Sequence, residues 1–151
     1  MKTKETIFKT QITLLLYIIF PLITGMSSCQ KDKTLDINIT EFEWELNSIT
    51  DDGNKVKRPS GDFHRDDAYI LRFSDSTFVL NTTVNSAGGH YKIITKGEIN
   101  ILSYGVMTMV CCETDFDEKM ISVFKGMTSY TVKGKTLTFK GDNSEVEFKK
   151  K

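Results

Sequence analysis

Residues Met107–Phe148 read MTMVCCETDFDEKMISVFKGMTSYTVKGKTLTFKGDNSEVEF, and this run decides the fold. Thr114 and Asp117 stand three apart, the spacing at which a threonine hydroxyl accepts from the amide of the third helical residue. Asp115, Asp117 and Glu118 place negative charge at the positive end of the helix that follows. Phe116, Met120, Val123, Phe124 and Met127 then recur at the spacing of one helix face, with Lys119 and Lys125 off it, and Gly126 stops the turn. Beyond the glycine the period changes from helical to twofold. Tyr130 and Val132 alternate with polar neighbours, Gly134 turns the chain, and Leu137 and Phe139 alternate again. Gly141-Asp142-Asn143 turns it once more, ahead of Val146 and Phe148. One capped helix therefore feeds a meander of short antiparallel strands.

The order of these parts carries a resemblance. Met109-Val110-Cys111, the acidic capped helix, the hairpin Ser129–Phe139 and the closing Val146-Glu147-Phe148 resemble the C-terminal half of META/HslJ-like domains. Met107 stands where that pattern has threonine. The upstream cysteine-bearing element of the family is reduced here to Asn85-Ser86-Ala87-Gly88-Gly89-His90-Tyr91, so a disulfide between the two elements is excluded. The resemblance implies a small β-rich fold and envelope-stress or surface roles, with no reaction attached.

Upstream, Phe42, Trp44 and Leu46 alternate with Glu41, Glu43 and Glu45, as a half-buried strand with an acidic outer face does. The Trp-x-Leu pair is similar to the opening strand of the same family. Asp51-Asp52-Gly53-Asn54 reads as a turn, and Lys55–Asp67, with Pro59 and Gly61, as the longest loop of the domain. Tyr69, Leu71 and Phe73 predict a strand that pairs in a hairpin with Thr77–Leu80 across Ser74-Asp75-Ser76. Asn85–His90 reads as a glycine-rich turn, followed by strands from Tyr91 and from Glu98 to Tyr104, with Gly105 bending the chain before Val106–Cys112. The expected fold is α+β: a strongly curved antiparallel sheet or incomplete β-barrel of about eight strands packed around one helix. Phe116, Met120, Val123 and Phe124 should bury against Trp44, Leu71, Phe139 and Phe148.

The N-terminus supplies an address. Lysines precede an apolar run, Ile12–Ile23, too short to span a bilayer, and small residues lead to Cys29. Met26-Ser27-Ser28-Cys29 resembles a bacterial lipobox, in which the cysteine becomes the first mature residue and carries lipid; an ordinary cleaved signal is the alternative. The expected organisation is a signal peptide over 1–28, a polar tether over 29–38 and one domain over 39–151. Lipid on Cys29 would make the membrane a partner and place the chain at the cell envelope, as an outer-membrane lipoprotein. Asp32 between Lys31 and Lys33 leaves open whether it faces the periplasm or the cell surface.

The 151 residues carry 20 basic and 20 acidic side chains. Without Lys2, Lys4, Lys9 and Glu5 of the leader, 17 face 19, a balance unlike that of a nucleic-acid binder. No P-loop, dinucleotide fingerprint or nucleophile motif occurs, so no catalytic residue and no cofactor is expected. His64 among Asp62, Asp66 and Asp67 has the residue types of a cation site, but a single nitrogen ligand in a Pro/Gly loop reads more simply as a solvated stretch, and no metal is expected. His90 is expected at a turn, and the pairs Asp51-Asp52 and Asp66-Asp67 lie in turn-rich stretches. Cys111 and Cys112 are the remaining thiols. Cys111 is expected to be buried and inert, with a strained vicinal disulfide or an exposed, reactive Cys112 as alternatives. The function these features support is an interaction or envelope-stress module without catalysis, its partner an unknown protein. The alternative is a lipocalin-like carrier of a small apolar ligand inside the sheet.

Overall fold

The computed structural model describes residues 38–63, 65–107 and 112–151. A short 3-10 turn, Ile39–Glu41, precedes ten strands and one helix: β1 Trp44–Asp51, β2 Asn54–Lys57, β3 Ile70–Phe73, β4 Thr77–Asn81, β5 Ser86–Thr95, β6 Glu98–Ile101, β7 Gly105–Val106, α1 Asp115–Lys125, β8 Ser129–Lys133, β9 Thr136–Lys140 and β10 Ser144–Lys150. Eight of the strands close an antiparallel barrel in the order β1-β10-β9-β8-β6-β5-β4-β3, and β3 returns to β1. The closing seam is short: Trp44 pairs with Leu71 and Glu45 with Ile70, extended by Leu46 N–H donating to Tyr69 O at 2.9 Å. β2 folds back on the far half of β1, and β7 continues along β5 where β6 leaves off.

The curvature has local causes. A bulge between Leu46 and Ser48 shifts the register of β1 against β10. Trp44 and Leu46 face inward before it and Ile49 after it, so both halves of the strand keep an apolar side chain in the core. Asp52 and Gly53 both take positive φ, 47° and 79°, which is the two-residue hairpin turn that this Asp-Gly pair encodes.

An eight-stranded barrel has an interior just wide enough for side chains to fill. Here they fill it. Trp44, Leu71, Phe78, Leu80, Leu137, Phe139, Val146 and Phe148 are buried on the inner wall. α1 lays Met120, Val123 and Phe124 onto them. The Phe124 ring lies 5.4 Å from Phe78, 5.3 Å from Phe139 and 6.2 Å from Phe148, tilted or edge-on in each case, the arrangement aromatic quadrupoles favour. Trp44 closes its polar end by donating Nε1–H to Ile39 O at 2.8 Å.

Four expectations change. Lys55–Lys57 lie in β2, not in the loop, because the tight turn before them folds the chain back onto β1. Asn85–His90 is not a turn: Ser86–His90 forms the first half of β5, and His90 pairs with Thr77 on β4. Gly88 and Gly89 are small because backbone approaches them there; a Cβ on Gly88 would sit 2.7 Å from Phe78 O. Tyr69 does not open β3 but precedes it with φ 63°. Finally, the strand expected from Glu98 to Tyr104 ends at Ile101 and resumes as β7 after an excursion at Leu102–Tyr104, where Leu102 N–H and Ser103 N–H both turn to His90 O.

Candidate functional site

The start of α1 is an organised polar region of the barrel. Thr114 is its N-cap, with Oγ1 accepting from Asp117 N–H at 3.1 Å. Asp117 returns the bond, its Oδ2 accepting from Thr114 N–H at 3.2 Å and from Thr114 Oγ1–H at 2.9 Å. The expected cap is therefore a full reciprocal box. Asp117 also has a role its helical position does not announce. It is wholly buried, and its Oδ2 accepts from Thr83 Oγ1–H at 2.5 Å.

Thr83 belongs to the turn Thr82–Asn85 between β4 and β5. Thr82 Oγ1 closes that turn by accepting from Asn85 N–H at 2.8 Å, and it lies 3.0 Å from Glu113 Oε1 as donor. Two adjacent threonines thus tie the β4–β5 turn to two carboxylates at the helix start.

Two tyrosines stand beside these carboxylates. Tyr69 is fully buried and its hydroxyl has no hydrogen-bond partner, nor does Asp117 Oδ1. Burial raises the Tyr69 phenol well above its usual pKa, and the charge of Asp117 raises it further. Tyr104 repeats the arrangement. Its hydroxyl and Glu113 Oε2 are buried without partners, and burial, then Glu113, raises its pKa.

Against this wall opens a cleft of about 560 Å³, lined by Pro59, Asp62, Phe63, Tyr69, Thr83, Val84, Cys112, Thr114, Asp115 and Phe116. Its volume falls in the range of small-molecule sites. Three rings form its aromatic part: Phe63 and Phe116 meet Tyr69 edge-on at 5.3 Å and 5.5 Å. Phe116 was expected in the barrel core; it is half-buried and packs on Tyr69 instead, one helical turn before the face that carries Met120 and Phe124.

Arg65 holds the loop on the Phe63 side in place. It pairs with Asp67 at 3.0 Å and donates to Asn85 O at 2.8 Å and Ser86 Oγ at 3.0 Å. Asp67 also accepts from Asn81 Nδ2 at 2.6 Å and lies 3.4 Å from Arg72 Nη1, which in turn pairs with Glu43 through Nε at 2.7 Å. The hydrogen bond from Arg65 is the chief reason the Asp67 carboxyl is held below the usual carboxylate range.

These contacts place the sequence-derived candidates. Asp67 is engaged by two arginines and is not a spare cation ligand; Asp62 lines the cleft, and His64 lies outside the described residues. His90 is exposed on β5, Asp51 pairs with Lys119 at 3.2 Å, and Asp52 sits in the β1–β2 turn. Cys112 is not on a strand. It is exposed, has φ 82° and lines the cleft. Cys29 and Cys111 lie outside the described residues. Sequence reasoning missed Tyr69, Thr83 and the second use of Asp117; the only signal was the threonine pair Thr82-Thr83 in a turn.

The META domain family matches this chain over residues 37–151, the whole of the described barrel. The chain belongs to the META domain family. No curated protein matches the chain. Two solved structures share the fold of this META domain at low identity. One is the NMR structure of a protein from Burkholderia xenovorans, with TM-score 0.57 and 17% identity over 75% of this chain and 83% of that one. The other is a DUF4847 family protein from Bacteroides vulgatus, with TM-score 0.54 and 13% identity over 74% and 93%.

Proposed function

We propose that this META domain works without catalysis, as an interaction module held at the cell envelope by lipid on Cys29 of an outer-membrane lipoprotein. The observation that carries the reading is the filled barrel. Phe73, Phe78, Phe124, Phe139 and Phe148 pack ring to ring across the interior. A carrier needs that space for its ligand, so recognition falls to the outside, where a formed cleft lies at the helix start. The chemistry around it agrees. The buried carboxylate Asp117 spends Oδ2 on three hydrogen bonds that hold the helix and the β4–β5 turn. Asp62 and Asp115 are open to water, whereas acid–base catalysis favours a desolvated carboxyl.

The test has two arms. Lipid attachment is read by the mass of the mature chain and by its loss from membranes in Cys29→Ala; a soluble, unacylated wild type would remove the anchor. Photo-crosslinkers placed at Phe63 and, as a control, on β9 at Thr138 would be activated in cells. One discrete adduct from position 63 alone supports a partner at the cleft. Native mass spectrometry of the chain carrying a few hundred daltons of apolar ligand, together with no adduct at either position, would favour a carrier.

A further inference from the structure

We infer that the cleft at the start of α1 binds a small amphipathic organic cation, an apolar or aromatic body ending in an ammonium group. Three independent features converge on that chemistry, and none requires the lipid anchor or a protein partner.

The first is charge. Of the described residues that line the cleft, Asp62 and Asp115 are ionisable carboxylates, and no lysine or arginine is among them. Neither forms an ion pair among the described residues. Arg58 and Arg65, which flank the segment in sequence, are ion-paired to Glu45 at 3.0 Å and Asp67 at 3.0 Å, and of the two Arg58 still acts electrostatically on Tyr69. The positive end of the helix is offset by Asp115, Asp117 and Glu118 in its first turn, and the Asp117 amide is already capped. The two carboxylates of the lining outweigh the single, already paired Arg58 nearby, so a cation is favoured over an anion.

The second is the wall. Phe63 and Phe116, packed edge-on against the buried Tyr69, present ring surface, with Pro59 and Val84 beside them. Such a wall takes an apolar body, and ring faces attract an ammonium group. The volume, about 560 Å³, suits a molecule of one ring and a short chain.

The third is an unpaired polar group in that wall. Tyr69 is fully buried, lines the cleft, and has a hydroxyl without a partner. Burying a hydroxyl without a hydrogen bond is unfavourable, so such groups call for an explanation. The hydroxyl is sealed from solvent and acted on by Asp117, so what the pair contributes to a ligand in the cleft is the negative charge of the carboxylate behind the wall, which favours a cation.

The experiment uses the full mature chain in a non-ionic detergent and three probes of one length: 4-phenylbutylammonium, 4-phenylbutanol and 4-phenylbutyrate. Affinities are read by calorimetry and by saturation-transfer NMR. The ammonium probe should bind at least about tenfold more tightly than the alcohol, with the carboxylate weaker still, and the preference should shrink at high salt. The double variant Asp62→Asn/Asp115→Asn should bring the ammonium probe down to the level of the alcohol. Asp142→Asn, in the β9–β10 turn, should change nothing. Equal or tighter binding of the carboxylate, equal binding of all three probes, or no binding of any up to its solubility limit would overturn the assignment. The salt series on the unaltered chain decides the matter even if the double variant misfolds.

Discussion

The carbonyl oxygen of Ser103 occupies the space that a Cβ on Gly89 would need. The two residues meet where the chain breaks off β6, turns out at Leu102–Tyr104 and comes back as β7. His90 supports the excursion from the other strand, its N–H donating to Ser103 Oγ at 3.0 Å and its O accepting from Leu102 N–H at 2.9 Å. The detour turns Tyr104 back toward the core, where its ring lies 5.9 Å from Phe78. Gly89→Ala should therefore destabilise the domain by at least about 2 kcal/mol, since the obstruction is backbone and cannot rotate away. Gly134→Ala is the comparison: its φ of 59° is strained for alanine but a Cβ there meets nothing, and about 1 kcal/mol is expected. Urea unfolding of both variants checks the order; a Gly89→Ala cost equal to or below that of Gly134→Ala would contradict the close approach.

Phe124 joins the helix to the barrel, with rings of Phe78, Phe139 and Phe148 within 6.2 Å. Phe124→Ala should cost about 3–5 kcal/mol, the usual range for removing a buried phenylalanine. Phe116→Ala, on the same helix but in the cleft wall, should cost markedly less. A loss below about 0.5 kcal/mol for Phe124→Ala would mean that the helix does not seat on the barrel.

What the sequence made legible follows from how local each feature is. The helix over Asp115–Lys125 was readable because its cap and its stop lie within thirteen positions, although Phe116 lines the cleft and Met127 follows the helix. The β8–β10 meander was readable because each turn carries its own glycine. Ser86–His90 was misread because the reason for Gly88 and Gly89 lies in other strands, at Phe78 and Ser103, so glycine served contact and not turning. Likewise the cleft is assembled from three segments far apart in sequence. The buried carboxylate behind it looked like an ordinary helix-start aspartate, because nothing near Asp117 in sequence announces Thr83.

That last contact is separable by a double-mutant cycle. Thr114→Ala should cost about 1 kcal/mol through loss of the cap. Thr83→Val and Asp117→Asn should each destabilise, and together should cost less than their sum by about 1 kcal/mol, since both remove one bond. Strict additivity of the two would show that Thr83 Oγ1 and Asp117 Oδ2 do not interact in solution.

Asp67 ties acid stability to the loop that carries Phe63. Its pKa is lowered in the folded chain, mainly by Arg65 and also by Arg72. The unfolded chain thus takes up the proton first as pH falls. The stabilisation is complete above the ordinary aspartate range and is lost as pH drops through the lower folded value. Asp67→Asn should lower the urea midpoint at pH 7, by a modest amount because the pair is partly exposed. The gap between variant and wild type should narrow toward pH 3. A gap that is constant with pH would separate the effect from the charge.

The alkaline side is governed by tyrosines. Tyr69, Tyr91 and Tyr104 all have raised pKa values, each chiefly through burial, whereas the unfolded chain ionises its phenols near pH 10. The protonated phenol is thus favoured in the folded state. That contribution is fully present below pH 10 and declines as pH rises above it, because the unfolded state releases protons first. Phenolate absorbance should accordingly show Tyr69, Tyr91 and Tyr104 ionising late and together with loss of near-ultraviolet circular dichroism. Tyr104→Phe should remove an unpartnered buried hydroxyl and its alkaline liability at once, leaving stability at pH 7 unchanged or slightly higher. If that variant were instead less stable by about 1 kcal/mol or more, the Tyr104 hydroxyl would be making a hydrogen bond in solution, with Glu113 as the group that raises its pKa and stands ready to accept it.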